Sequence, residues 1–311
     1  MKAYILPLAI SALVLAAVFL WGGLAALWLA VMLTALEVML SFDNAVVNAK
    51  ILERMSALWQ QRFLTWGIPI AVFGTRLVLP VLIVAIAAAI SPIAATVLAV
   101  TDPDQYARLI AGASHSIAAF GGSFLLLVSL KYFFDTGKNV HWVEMIESRL
   151  SRWGRIEAIE IGIALLVILT LSFITHTEQG IVLAAGVVGI LLFVFINGAA
   201  QTLSMNAKDA AKGAAFLFLY LNVLDAAFSL DGVIGAFALT TQIFIIVAGL
   251  GIGALFVRTI TVHLVRKRTL ETLVYLEHGA HWAIFGLALF MFADLVTHVP
   301  SAVVGFAGVV L

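Results

Sequence analysis

The stretch "LEVMLSFDNAV", residues 36–46, sets a glutamate, an aspartate and an asparagine inside an apolar run. A charged side chain at the centre of a bilayer costs at least about 2.5–3.5 kcal/mol on insertion scales. If the run crosses a membrane, Glu37, Asp43 and Asn44 need compensating partners there.

Composition says that it does. The chain has 311 residues, 63% of them hydrophobic and 11% charged. Soluble domains average about 45–50% apolar and about 25% charged. Too little polar surface is present to face water, so the chain reads as an all-α polytopic membrane protein surrounded by lipid, with no nucleic-acid partner. A homo-oligomer is compatible with this reading. The absence of cysteine removes disulfides, thiolate metal sites and thiol nucleophiles together. The first residues run on as a span rather than as a cleaved signal.

Apolar runs predict nine spans, near 4–21, 24–50, 66–90, 108–133, 158–176, 180–196, 212–239, 243–264 and 280–298. With that count every Lys and Arg outside the spans falls on one side except Arg108; Arg76 and Arg258 lie within spans. The positive-inside rule then puts the N-terminus in the cytoplasm and the C-terminus outside, in a bacterial inner membrane. Residues 134–157 form the longest loop. Val143, Ile146, Leu150 and Trp153 recur there at helical spacing with arginines between them, which predicts an amphipathic helix on the cytoplasmic membrane surface. The loop separates an N-terminal membrane half (1–133) from a C-terminal one (158–311).

A second stretch, "YLNVLDAAFSLDGVIGA" at 220–236, repeats the polar spacing of the first. Glu37, Ser41, Asp43 and Asn44 correspond to Asp225, Ser229, Asp231 and Gly232. Downstream, "GTR" ending at Arg76 parallels "LFVR" ending at Arg258, and "IAAFGGSFLLL" (117–127) parallels "WAIFGLALFMF" (282–292). Three echoes in one order define a three-helix repeat, at about 24–133 and 212–298. The offset of five spans is odd, so the copies have opposite orientation. Inverted repeats with polar breaks at matching positions mark many secondary transporters, whose sites lie at the membrane midplane.

On a regular helix Glu37, Ser41 and Asn44 share a face, whereas Asp43 falls about 120° away. Joint use of both acids requires the helix to unwind around Ser41–Asn44, and Gly232 suits a break in the second copy. The ligand set is then all oxygen: Glu37, Asp43, Asn44, Asp225 and Asp231, with Ser41, Asn48, Asn222 and Ser229 as auxiliaries. Such a set suits Mn²⁺, Mg²⁺ or Ca²⁺ as a transported substrate and requires no resident cofactor. Paired carboxylates also suit proton exchange. Arg76 sits deep enough to neutralise a carboxylate when no cation is bound; Arg258 lies near a span end, where snorkelling to the interface is expected. In "EHGAH" (277–281), His278 and His281 share a helical face near the cytoplasm, where interfacial packing is the expected role and ion access the alternative.

The motif "EVMLSFDNAVV" resembles the signature of the TerC family of integral membrane proteins, and nearly the whole chain is similar to a related bacterial family of unknown function. These groups belong to a transporter superfamily that includes the lysine exporter LysE. The resemblance implies manganese export, with Glu37, Asp43, Asn44, Asp225 and Asp231 at the metal site. The chain departs from the TerC pattern at "SFDN" and "SLDG" and in its long 134–157 loop. Two other classes fit the acids: a membrane-embedded hydrolase, of lipid-phosphatase or aspartyl-protease type, and an accessory subunit of a tellurium or metal-stress complex.

Overall fold

The structure, a computed structural model, describes residues 2–138, 140–156, 158–175, 178–204, 210–267, 273 and 275–297. Among these residues it is helical throughout, without strands. Among the described residues seven helices are long and apolar enough to cross a bilayer: Tyr4–Leu40, Ala57–Ile86, Ser114–Phe133, Gln179–Ala200, Gly213–Phe237, Ile243–Lys267 and Leu276–Asp294. Pro92–Thr101 and Ile159–Ile174 are apolar but shorter than the about 20 residues of a full crossing. The large apolar side chains on the outside, among them Leu13, Leu20, Leu24, Ile86 and Ile93, are what a lipid-facing surface requires.

The first two expected spans form one helix, α1 (Lys2–Leu40), roughly twice as long as the hydrocarbon core is thick. It breaks where a turn was expected, at Gly23, whose φ of 69° only glycine adopts freely. A second interruption at Ser41 separates α1 from α2 (Phe42–Glu53). The expected third span comprises α3 (Ala57–Thr65), α4 (Gly67–Pro69), a π-helical stretch over Ile70–Val78, and α5 (Leu79–Ala87).

Residues 91–107, expected to be loop, fold into α6 (Pro92–Thr101) and the start of α7 (Pro103–Gly112). Each begins with a proline in its first turn. Ser91 Oγ accepts from Ala94 N–H and Asp102 Oδ1 from Gln105 N–H, so both have a standard N-cap. The remaining helices are α8 (Ser114–Phe133), α9 (Glu144–Trp153), α10 (Ile159–Ile174), α11 (Gln179–Ser204), α12 (Ala210–Leu239), α13 (Ile243–Lys267) and α14 (Leu276–Asp294). The predicted connector helix is thus present as α9. The turn expected at "THTEQG" includes His176 and Thr177, which lie outside the described residues.

Two compact units interleave the sequence: residues 1–114 with 221–267, and residues 115–220 with 268–311. The core of the first is the contact of α1 with α13. A Cβ on Gly249 would meet Leu33 Cβ at 2.6 Å and Ala30 O at 2.9 Å, and one on Gly253 would meet Glu37 Cβ at 2.5 Å. This Gly-x-x-x-Gly pair lets the two backbones approach closely, as lipid-embedded helices need to when no hydrophobic drive presses them together. Thr34 Oγ1 donates to Gly249 O at 3.0 Å across the same contact. Val18, Ala26, Ala30, Leu33, Val233, Ala236 and Leu250 pack around it.

In the second unit, α10 and α11 pack together, with Gly186 against Ile168. Phe124, Phe193 and Tyr220 form an aromatic cluster there.

Candidate functional site

Both acidic motifs lie in the first unit. Glu37 ends α1 and is 1% exposed; Asp225, on α12, is 4% exposed. Each is paired with the arginine of its own copy. Arg76 Nη2 donates to Glu37 Oε1. Arg258 Nη2 donates to Asp225 Oδ2 at 3.2 Å and to Asn222 Oδ1 at 3.3 Å. Arg258 is 2% exposed, so it does not snorkel. Its charge stays inside because α13 turns it toward Asp225 and over the Phe63 ring, 4.1 Å from the centroid. Gly67 makes the room: a Cβ there would lie 2.2 Å from Arg258 Nη1.

The π-helical stretch explains how Arg76 is held. Its Nη1 donates to Thr75 Oγ1 at 2.8 Å and to the carbonyl of Ala71 five residues earlier. Widened turns of this kind are uncommon and recur at functional positions.

The two copies also cross-link. Asn44 Nδ2 donates to Asp225 Oδ1 at 2.9 Å, so an asparagine of the first motif holds the acid of the second. In return Gly232, from the second motif, leaves space for the Glu37 carboxylate, with Oε2 only 3.2 Å from where a Cβ would stand. Ser41 Oγ donates to Glu37 Oε1 at 2.9 Å, whereas Ser229 Oγ bonds the backbone carbonyl of Asp225 at 2.6 Å.

Two details of the expected backbone are corrected. The break in the first copy is confined to Ser41, with φ −108° and ψ 12°. Hydrogen bonds from Ser41 N–H to Glu37 O and from Ala45 N–H to Ser41 O carry the chain across it, so unwinding does not extend to Asn44. In the second copy α12 runs unbroken through Gly232. The glycine serves close packing around Glu37, which a helix tolerates.

Asp43 is half-buried in the first turn of α2, where its Oδ1 accepts from Asn44 N–H at 2.8 Å. The side chain of Asp231 lies outside the described residues. Among the described residues no three acidic or histidine side chains are gathered to hold a metal ion. The buried oxygens Asn44 Oδ1 and Asn48 Oδ1, one helical turn apart on α2, have no partner among those residues, and neither do Arg76 Nε, Arg258 Nε and Arg258 Nη1. Buried polar atoms are almost always bonded, so orphaned carbonyl oxygens mark a place for a ligand or water.

A second buried carboxylate, which the sequence did not single out, lies in the second unit. Glu147 of α9 is fully buried and accepts from Lys138 Nζ (2.8 Å), Trp282 Nε1 (2.9 Å) and His278 Nδ1 (3.0 Å). His141 Nδ1 is 3.7 Å away. Burial by itself would raise its pKa; the Lys138 and Trp282 hydrogen bonds outweigh that and lower it to about 2. His281 stacks on Tyr132 at 3.7 Å and lies 2.8 Å from the Glu277 carbonyl. Both histidines of "EHGAH" are therefore engaged in packing.

A family described as "Protein of unknown function (DUF475)" matches residues 42–311, which include Arg76, Arg258 and every motif acid except Glu37. No curated protein and no solved structure matches the chain.

Proposed function

We propose a function for a chain that belongs to the DUF475 family of proteins of unknown function: secondary transport of a divalent metal cation across the bacterial inner membrane. Mn²⁺ export is favoured by the TerC resemblance. The observation that carries this reading is the pairing of two repeated, buried acids in one unit, each neutralised by its own arginine, with Asn44 of the first motif bonded to the acid of the second.

The interleaving of the units supports the inverted repeat behind it. Helices α1–α5 contribute to the first unit together with the second copy's part of α12 and α13. The third helices of the two copies, α8 from His115 on and α14, belong to the second unit. Each unit thus takes corresponding pieces of both copies, as two-fold-related repeats do.

In this arrangement the arginines act as tethered cations. A bare carboxylate pair could not sit at mid-membrane in an empty carrier, whereas Glu37–Arg76 and Asp225–Arg258 are neutral. An entering divalent ion competes with the guanidinium groups for the carboxylates. Asn44 Oδ1 and Asn48 Oδ1 supply neutral oxygens of the hard type that Mn²⁺, Mg²⁺ and Ca²⁺ accept. The motif acids Asp43 and Asp231 add the charge required once the arginines are displaced.

The test is Mn²⁺ flux in proteoliposomes loaded with a metal-sensitive dye. Asp43→Asn and Asp225→Asn are expected to abolish flux while the protein still inserts and elutes as a folded species. Wild-type flux in both variants overturns the assignment.

A further inference from the structure

The connector helix α9 is docked the opposite way round from an ordinary amphipathic helix. Its inward stripe is Glu147, Ser151 and Gly154, at i, i+4 and i+7. Glu147 is held by Lys138, His278 and Trp282; Ser151 Oγ donates to Asp135 O at 3.0 Å. Gly154 follows the last helical residue and lies so close to Phe134 that a Cβ would stand 1.8 Å from its carbonyl oxygen. Leu150 is half-buried on the same side; the other apolar residues of the helix face out. Met145 is 70% exposed, Trp153 57% and Ile156 58%, and Ile146 lies beside them.

The same outward face carries Arg149 and Arg152, both exposed, with Arg155 just beyond the helix. The one exposed acid of α9, Glu144, lies about 140° around the helix from Arg149 and about 60° from Glu147, nearer the docked side. Exposed tryptophan and aliphatic groups interleaved with arginine, and without an acid, do not suit water. They complement a surface that is apolar below and negative above. The chain leaves the membrane-crossing helix α8 at Phe133 and enters the apolar α10 at Ile159, which keeps α9 at headgroup level.

We propose that the outward face of α9 is a seat for anionic lipid headgroups of the same bilayer, with Met145, Trp153 and Ile156 in the acyl boundary and Arg149, Arg152 and Arg155 on the phosphates. Glu147 is the pin that fixes this orientation.

The chain has no native cysteine, so a single spin label is available at Met145→Cys. The full-length protein is placed in nanodiscs of phosphatidylcholine alone or mixed with phosphatidylglycerol, and collisions of the label with oxygen and with a water-soluble nickel chelate are compared. In the mixed lipid the label is expected to be open to oxygen and shielded from the chelate. Arg149→Gln with Arg152→Gln lowers the ratio of seated to water-exposed label roughly 30-fold, while Arg149→Lys with Arg152→Lys retains it. The proposal is overturned by equal chelate access in both lipids, or by lysine variants that lose the seat as the glutamine variants do. It is also overturned by shielding from both probes, which indicates a protein surface such as a second copy. Elution and thermal unfolding matching the parent protein establish that each variant is folded.

Discussion

Removing one partner of the Asp225–Arg258 pair should cost more than removing both. At 3.2 Å and an effective dielectric of about 20, the Coulomb attraction is about 5 kcal/mol. Arg258→Met leaves Asp225 with the Asn44 amide as its remaining described donor. Asp225→Asn leaves the Arg258 guanidinium buried with Asn222 and the Phe63 face as its described partners. Losses of about 3–4 kcal/mol for Arg258→Met and about 4–5 kcal/mol for Asp225→Asn are expected. The double variant places an amide beside Asn44 and a methionine beside Phe63, and should recover most of the sum. A double-mutant cycle by denaturant unfolding in micelles, followed by circular dichroism, measures the coupling, expected at about 5 kcal/mol. Single variants within about 0.5 kcal/mol of the parent, or additive losses in the double, refute the paired arrangement.

Gly253→Ala forces a Cβ to within 2.5 Å of the Glu37 side chain, so a loss of about 1–3 kcal/mol in unfolding and reduced Mn²⁺ flux are expected together. If the arginines stand in for cargo in the empty carrier, Arg76→Met should slow net Mn²⁺ efflux by about a hundredfold, the scale of an unpaired buried carboxylate, while Mn²⁺/Mn²⁺ exchange persists; equal loss of both modes counts against the tethered-cation role. Glu147 binds its proton more weakly folded, near 2, than unfolded, near 4.5, so its contribution is fully present above about pH 4.5 and fades as the pH falls toward 2. Thermal unfolding of Glu147→Gln, which leaves Lys138, His141 and His278 without their anion, should show a loss of about 1.5–3 kcal/mol at pH 7 that shrinks across that acid window.

The membrane class and the pairing of the motifs were legible because lipid makes polar residues rare and therefore informative. Glu37, Asp225, Arg76 and Arg258 stood out for that reason alone, and the structure brings all four into one unit. What could not be read was direction. Arg258 sits late in its span, and its sequence position suggested the interface; Gly67 and Phe63, nearly 200 residues away in the chain, turn it inward instead. The π-helical turns around Arg76 have no sequence mark either. Ser91-Pro92 and Asp102-Pro103, by contrast, are ordinary N-terminal helix signals, but the helices they open are too short to stand out as 20-residue apolar spans. Gly249 and Gly253 were likewise visible as a small-residue pair, but only a known partner helix gives such a pair meaning.

On the transport reading, charge counting links the arginines to the coupling ion. The four motif acids Glu37, Asp43, Asp225 and Asp231 carry four negative charges, and Arg76 and Arg258 return two positive ones. The remainder of two is what one divalent cation neutralises, or what two protons neutralise when the cation has left. In the resting arrangement described here Glu37 and Asp225 are already satisfied by guanidinium groups, so the remainder falls on Asp43 and Asp231. Asp43 and Asp231 are then, on that reading, the residues on which proton and metal compete. A carrier built this way exchanges one divalent cation for two protons and moves no net charge. On the transport reading, Mn²⁺ efflux from proteoliposomes therefore follows an imposed pH gradient and ignores a potassium diffusion potential; flux that responds to voltage at fixed pH means that the arginines do not complete the balance.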